Sequence, residues 1–466
     1  MYTSVDNEGV KIPLRFLPAV LATLALALSA SGQTLPQVPG AKVITLSPAP
    51  GTWSEPGVAV NPLHPNQVVV VYQFPAHAAW SDDYGQTWKL ATGVKPPQYK
   101  MSGDVSTAFD NKGHALIACI AFNKLGSFNY WGHGATKNGI YVRRSLDGGH
   151  IWEPQLRTVI QQPTKPGIPF EDKPYLVTDT SKSPFAGNLY IGWTRWTLTD
   201  SRMLFTRSTN DGVTWSKPIE IDRHRGLPRD DNGALEGFDG AVGPDGTLYA
   251  IWAGNNHIIL TESHDGGKTF THPRQIIATA PIMFAIQGME RANGFPQIAM
   301  DPRGGPKGGP LYITWSDYRN GDVDIFLSVS KDHGRTWSAP IRVNNDPLRD
   351  GADHFFQWLA VDPVTGAVNV VFYDRRQDPA NEKQTVVLAR STNGGKSFTN
   401  YAWTPDSFDP HGVFIGDYLG LAAWGNRVYG AWTWRQGMAK KTSLQVGIAN
   451  FNQPAGVSNI AAAHRQ

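Results

Sequence analysis

The sequence predicts an all-β chain closed into a single propeller of four-stranded blades, and three observations carry that expectation. An eight-residue turn pattern, Ser-x-Asp-x-Gly-x-Thr-Trp, recurs six times along the chain. Seven apolar strand segments recur at the same rhythm. The composition, with 48 Gly, 34 Pro and an aromatic share of 11%, suits many short strands and tight turns better than helices.

The turn pattern runs from Ser81 to Trp88, Ser145 to Trp152, Ser208 to Trp215, Ser263 to Phe270, Ser330 to Trp337 and Ser391 to Phe398. Asn210 and Asn393 replace the aspartate in two copies. Successive starts lie 64, 63, 55, 67 and 61 residues apart, the length of one blade with generous loops. Its chemistry is that of a hairpin: the carboxylate or amide accepts hydrogen bonds from turn amides, and the glycine supplies a positive φ. The closing aromatic is expected beneath the turn, so the pattern is structural rather than catalytic.

Strand segments give a different count. They fall at 67–73, 114–123, 188–196, 247–254, 310–318, 367–376 and 427–435, and each is preceded by a second apolar strand. Seven units against six turns favour seven blades, with six as the alternative. The last unit continues through 443–451 without a turn pattern after it. Its missing outer strand is expected from 42–47, which closes the ring and leaves no open sheet edge.

The repeated turn is the Asp box, or bacterial neuraminidase repeat, and the chain resembles the sialidase superfamily over nearly all of residues 33–466. The resemblance implies an exported glycoside hydrolase that removes terminal anionic sugars by a retaining mechanism. In that family three arginines clamp a sugar carboxylate, a tyrosine activated by a glutamate is the nucleophile, and an aspartate is the acid. Here Tyr418 in Gly-Asp-Tyr-Leu-Gly-Leu resembles the nucleophile, Glu236 the activating glutamate, and Asp172 in Glu-Asp-Lys-Pro the acid. The chain departs from the family twice: 51–60 holds no arginine, and 68–80 holds no carboxylate.

In a meandering blade, the start of the inner strand and the end of the second strand share the face opposite the turns. Arg195, Arg319, Arg376 and Arg435 all end second strands, and their planar forks suit bidentate pairing with a carboxylate. They are the expected substrate-binding residues, the alternative being salt bridges that stitch blades together. Arg375 and Arg376 are adjacent and point to opposite sides of a strand, so only one serves. Acids gather at the inner-strand starts. Glu55, Asp104 and Asp239 fall in one register, six residues before Asn61, Asp110 and Asp245, with Glu171, Asp353 and Asp417 close by.

Other classes are less well supported. A net charge of +3 with no basic run gives no reason to expect nucleic acid. No cofactor is expected. His354 beside Asp353, and His411 beside Asp409, lack the spacing of a zinc motif and read as solvated loop histidines. Cys119, the single cysteine, lies in an apolar run and reads as a buried, inert thiol. Lys11 and Arg15 precede the apolar stretch 16–28 and small residues at 29–32, the pattern of an export signal cut near Ala30 or Gly32. The mature chain is then expected to be secreted or periplasmic, with no membrane span. Two readings compete with hydrolysis: a propeller that binds glycan or protein without turnover, and a polysaccharide lyase.

Overall fold

A computed structural model describes residues 34–453, except 92, 166–168, 283–285, 290 and 438. The expected export segment 1–32 lies outside the described residues. From Lys42 to Asn450 the chain forms 28 strands in seven four-stranded antiparallel sheets, with no helix among the described residues. The inner strands are Ser54–Val60, Met101–Phe109, Phe170–Thr178, Glu236–Val242, Gln297–Met300, His354–Val361 and Gly420–Trp424. They open blades one to seven in chain order.

Six blades run inner to outer in sequence, and the seventh is completed from both ends of the chain. Its outer strand, Lys42–Thr45, pairs antiparallel with Thr442–Asn450, placing Val43 opposite Gly447. The seven-blade expectation and the closing strand are therefore as the sequence indicated. Residues preceding that strand latch onto blade six as well. Ala402 N donates to Pro36 O at 2.8 Å, and Leu35 and Val38 are buried in the apolar layers flanking that blade.

Between each pair of neighbouring blades lies one apolar layer, built from alternate residues of the facing strands. Fully buried Trp193, Trp252, Trp315 and Trp432 come from second strands. Each of these indole N–H groups finds an acceptor, in Glu171, Asp222, Asp317 and Gln445 respectively. At Gly447 a Cβ would meet the rings of Trp403 and Trp432 at 2.4 Å, and the strand needs glycine there for blades six and seven to close up.

The turn chemistry operates as expected. In the first copy Ser81 Oγ donates to Asp83 Oδ1 at 2.8 Å, Gly85 N donates to Ser81 Oγ at 2.9 Å, and Thr87 N and Oγ1 both donate to Asp83. Asn210 reproduces the pattern with its amide, accepting from Thr214 N and donating to Thr214 Oγ1. All six turns sit between third and fourth strands, on the face opposite the inner-strand starts. Burial of the closing tryptophans is unequal: Trp152 is 5% exposed, while Trp88, Trp215 and Trp337 are half-buried. Trp152→Ala should therefore cost about 3–5 kcal/mol, and Trp88→Ala roughly half of that. Chemical denaturation of the two variants measures the difference.

Three expectations need correction. His354 is not a solvated loop residue: it is fully buried at the start of the blade-six inner strand, among Asp346, Asp374, Arg342 and Arg376. Burial alone would keep it neutral, but the Asp374 and Asp346 carboxylates raise it to about 9. Asp324, Asp346 and His354 could each aim one ligand atom at a common point, yet Arg342 and Arg376 already pair with these carboxylates. Asp239, secondly, does not share the register of Glu55 and Asp104. A bulge follows Ser54, Gly103 and Glu236, which aligns Gly237, not Asp239, with the two acids. The turn after the blade-four inner strand begins at Gly243, so counting back from Asp245 misplaces the register by two residues. The four arginines, thirdly, are held by partners within the fold. Cys119 is buried, and burial pushes its thiol up to about 12, which keeps it inert.

Candidate functional site

The mouth of the channel is shaped by one repeated backbone device. Five inner strands begin with a β-bulge, at which Glu55, Asp104, Lys173, Gly237 and Phe356 adopt positive φ between 44° and 75°. Four of the five are not glycine, so the backbone is strained there, and such strain persists where the surrounding structure fixes it, often at functional sites. The bulge turns side chains that would follow the strand's alternation so that they gather at the mouth. Glu55, Asp104 and Lys173 sit in the bulge itself, and Asp172 and Glu236 immediately precede it.

They line a cavity of about 210 Å³ on the face opposite the Asp boxes. Loops between blades supply the rest: Asp230 before blade four, Arg291 before blade five, and Phe414, Asp417 and Tyr418 before blade seven. The upper wall is aromatic, made by Phe74, Phe122, Phe128, Trp131, Phe170 and Phe414. Tyr418, Glu236 and Asp172, chosen from three distant stretches of sequence, thus border one cavity.

Electrostatics dominate this cavity. Six carboxyl groups, Glu55, Asp104, Asp172, Asp230, Glu236 and Asp417, meet two cations, Lys173 and Arg291. Arg291 is committed to protein partners: its Nε donates to Asp417 Oδ1 at 2.8 Å, Nη1 to Asp230 Oδ2 at 2.8 Å, and Nη2 to Asp417 Oδ2. Burial alone would weaken its hold on a proton, but Asp417 and Asp230 keep it firmly charged. Lys173 Nζ lies 4.0 Å from the Tyr418 ring centre and 4.4 Å from that of Phe295.

Two carboxyl pairs come within hydrogen-bonding reach of each other, Asp104 with Asp172 and Asp230 with Glu236. At that separation each carboxylate opposes the charge of its neighbour. Burial raises Asp172, and the neighbouring Asp104 raises it further. Burial raises Glu236 well above the usual carboxylate range, and Asp230 and Asp172 add to this. Glu55 follows the same course, through burial and then Asp104 and Asp417. Asp172 is held in place by Trp196 Nε1 at 2.7 Å. Glu55 accepts hydrogen bonds from the Gln73 amide and from Asp417 N.

The Tyr418 hydroxyl is buried and donates to Val105 O at 3.4 Å. Burial, with Glu55 and Asp104 nearby, pushes its ionisation well above the ordinary phenol value. The resting tyrosine is therefore neutral, and some nearby base must take its proton before it can attack a substrate.

The four arginines expected to bind an anion lie one strand further out and do not line this cavity. Arg195 pairs with Glu171 at 2.6 Å, Arg319 with Asp317, and Arg376 with Asp374 at 2.7 Å. Arg435 donates to the carbonyls of Ala439, Asp409 and His411. In these four blades an acid of the same blade or a loop carbonyl lies within reach and captures the guanidinium. Arg375 is fully buried, donating to Gln287 O, Asn381 O and Gln384 Oε1. Lysine at position 195 or 376 should accordingly lower the melting temperature while leaving kcat/KM within about twofold, because both guanidiniums serve carboxylates of the fold. Melting curves and initial rates of the two variants check this.

Sequence reasoning missed Asp230, Lys173 and Arg291. Asp230 and Arg291 sit in interblade loops with no repeated spacing to flag them. Lys173 stands in the Glu-Asp-Lys-Pro motif, and its register with Glu55 and Asp104 becomes visible only once the bulge is seen.

No protein-family model matches the chain, and no curated protein matches it in sequence. Among solved structures it is similar to a Hadza microbial sialidase, Hz136, at 15% identity, over 83% of this chain and 73% of that one, with a TM-score of 0.48. An ulvan lyase of polysaccharide lyase family PL25 is similar at 12% identity, over 86% and 95%, with a TM-score of 0.48. An α-L-arabinofuranosidase, Arb93A, from Fusarium graminearum is similar at 13% identity, over 90% and 97%, with a TM-score of 0.46. At these scores the likenesses say nothing about chemistry. The class of protein rests on the chain's own strands: a seven-bladed β-propeller with an acidic, aromatic-walled cavity at the mouth of its channel.

Proposed function

We propose that the protein is an exported glycoside hydrolase that takes a terminal sugar into the mouth cavity. One observation carries this reading: closely placed carboxyl groups and aromatic rings line a single cavity. Aromatic faces pack against the C–H faces of a sugar ring, while carboxyl groups hold its hydroxyls and donate or accept protons at the glycosidic bond. Asp172, raised by burial and by Asp104, keeps a proton to higher pH than an ordinary carboxyl and suits the part of general acid. Tyr418 beneath Lys173 suits the part of nucleophile, with Glu236 or Glu55, once ionised, receiving its proton.

An anionic terminal sugar is the substrate that the family resemblance implies. Here it would have to draw Arg291 away from Asp417 and Asp230, since the other arginines are engaged outside the cavity. Hydrolysis of a panel of aryl glycosides tests the reading, with neutral pyranosides and furanosides beside a sialyl glycoside. Release of the aryl group from any member, abolished in Glu236→Gln and Asp172→Asn, supports it. Binding of glycans without turnover of any member would replace it with a glycan-binding propeller. Unsaturated products from a uronide polymer would point to a lyase.

A further inference from the structure

We infer that the leaving group of the substrate is apolar, a hydrocarbon chain or ring joined to the sugar through its anomeric oxygen. The inference rests on the glycosidase reading above and adds the substrate class to it.

Strand register places an apolar rim above an acidic floor in three successive blades. In blade two Phe122 pairs with Met101, nearer the mouth than Asp104. In blade three Phe170 opens the inner strand, ahead of Asp172. In blade one Phe74 follows Gln73, which pairs with Ser54, ahead of Glu55. Phe122 and Phe170 meet edge to face across the blade boundary, with ring centres 5.9 Å apart. The loop after the second strand of blade two then adds Leu125, Phe128 and Trp131 to the same cavity lining. Apart from the Trp131 indole, no side chain of this rim can donate or accept a hydrogen bond. Hydroxyls of a second sugar would be stripped of water there with little in return, whereas a hydrocarbon gains by leaving water. A cavity with acids below and hydrocarbon above fits a molecule with the same two halves.

The rim is held in place. Phe128 is 64% exposed and Leu125 37%, yet their loop is tied at several points. Ser127 N donates to His133 O at 2.9 Å, His133 N to Tyr130 O at 2.9 Å, and Asp230 N to Asn129 O at 2.8 Å. At Gly126 a Cβ would meet Trp131 O at 2.2 Å, so the loop closes on itself only with glycine there. A fixed apolar edge, left in water where a cavity opens, binds an apolar group at low ordering cost. Hydrolysis then releases the alcohol, its oxygen protonated by Asp172, while water supplies the new hydroxyl of the sugar.

Methyl, propyl, butyl and hexyl glycosides of the sugar best hydrolysed in the aryl panel test the inference on the whole mature protein. A benzyl glycoside and a disaccharide with the same terminal sugar complete the set, and released sugar is measured. The alkanols and benzyl alcohol leave with similar basicity, so the series reads contact with the rim. The expected result is a rise in kcat/KM of about two- to fourfold for each added methylene. Phe128→Ala and Leu125→Ser should each flatten that slope. Preference for the benzyl over the hexyl glycoside marks an aromatic leaving group, and the reverse an aliphatic one. A flat series in the wild type, or a disaccharide cleaved faster than the hexyl and benzyl glycosides, overturns the inference and leaves the hydrolase reading standing. A slope unchanged in both variants overturns it too, since the chain would then lie elsewhere. Should a variant fold poorly, the wild-type series still decides the matter. Failure to cleave any glycoside removes the glycosidase reading and the inference with it.

Discussion

Replacing Glu236 by Gln or Asp172 by Asn should lower kcat by about 10²–10⁴-fold on any glycoside the wild type cleaves, the range that general acid–base groups contribute. Both side chains border the mouth cavity beside another carboxyl and are raised by burial, so the amide keeps the shape and removes the titratable group. Circular dichroism should show an intact fold. Stability provides an independent check, and its sign follows from the pKa direction. A carboxyl whose folded value is raised holds its proton more tightly in the folded state than in the unfolded one. The stability this brings is full below the unfolded value near 4 and is lost as pH rises through the folded value. The wild type should therefore melt at progressively lower temperature as pH rises from about 4 toward the raised values, and each amide variant should flatten that decline. Activity should fall over the same rise in pH, as the general acid loses its proton. A variant that keeps full activity would remove that residue from the chemistry. An unchanged pH profile of melting would contradict the crowding of acids at the mouth.

A chain that begins at residue 48 should lose the closed ring. It would lack the outer strand of blade seven and the latch on blade six, leaving Thr442–Asn450 as an exposed edge. Leu35, Val38 and Leu46 would be removed from buried sites. At about 1.5–3 kcal/mol for each buried side chain, that loss alone is roughly 5–9 kcal/mol. Typical domain stabilities are about 5–15 kcal/mol, so the shortened chain is expected to be largely unfolded or aggregated. Thermal melting and size-exclusion chromatography of the shortened and mature chains check this. A sharp melting transition near that of the mature chain would show that the ring closes without its first strand.

The structure also explains why the Asp boxes are good evidence for fold and poor evidence for function. Each box satisfies its own hydrogen bonds within eight residues, as Ser330, Asp332, Gly334 and Thr336 show. The Thr336 hydroxyl and amide hold Asp332 down to about 2, so this carboxylate is fixed in its charged form and has no proton to offer at neutral pH. The mouth carboxyls are the opposite case: buried, crowded and raised. Environment separates the two sets of acids, and composition does not.

What the sequence determined by itself is what depends on local pattern. Alternating apolar residues placed the strands, so the second strands at 68–73, 115–124 and 427–435 lie within a residue or so of their expected positions. Unequal numbers of turns and strands pointed to seven blades, and an unpaired last strand pointed to closure by 42–47. Tyr418, Glu236 and Asp172 were reachable because each lies at or next to the start of an inner strand, a position that any meandering blade carries to the mouth. Tertiary structure decided which charges meet. Arg195 lies near the end of its second strand, and Arg319 and Arg376 fall two residues past the ends of theirs, and each finds a carboxylate of its own blade. Arg291 and Asp230, which no repeat marks, are delivered by loops from different blades and come to lie 2.8 Å apart. A guanidinium pairs with the acids that the fold brings within reach, and that is a property of distance in space rather than of spacing in the chain.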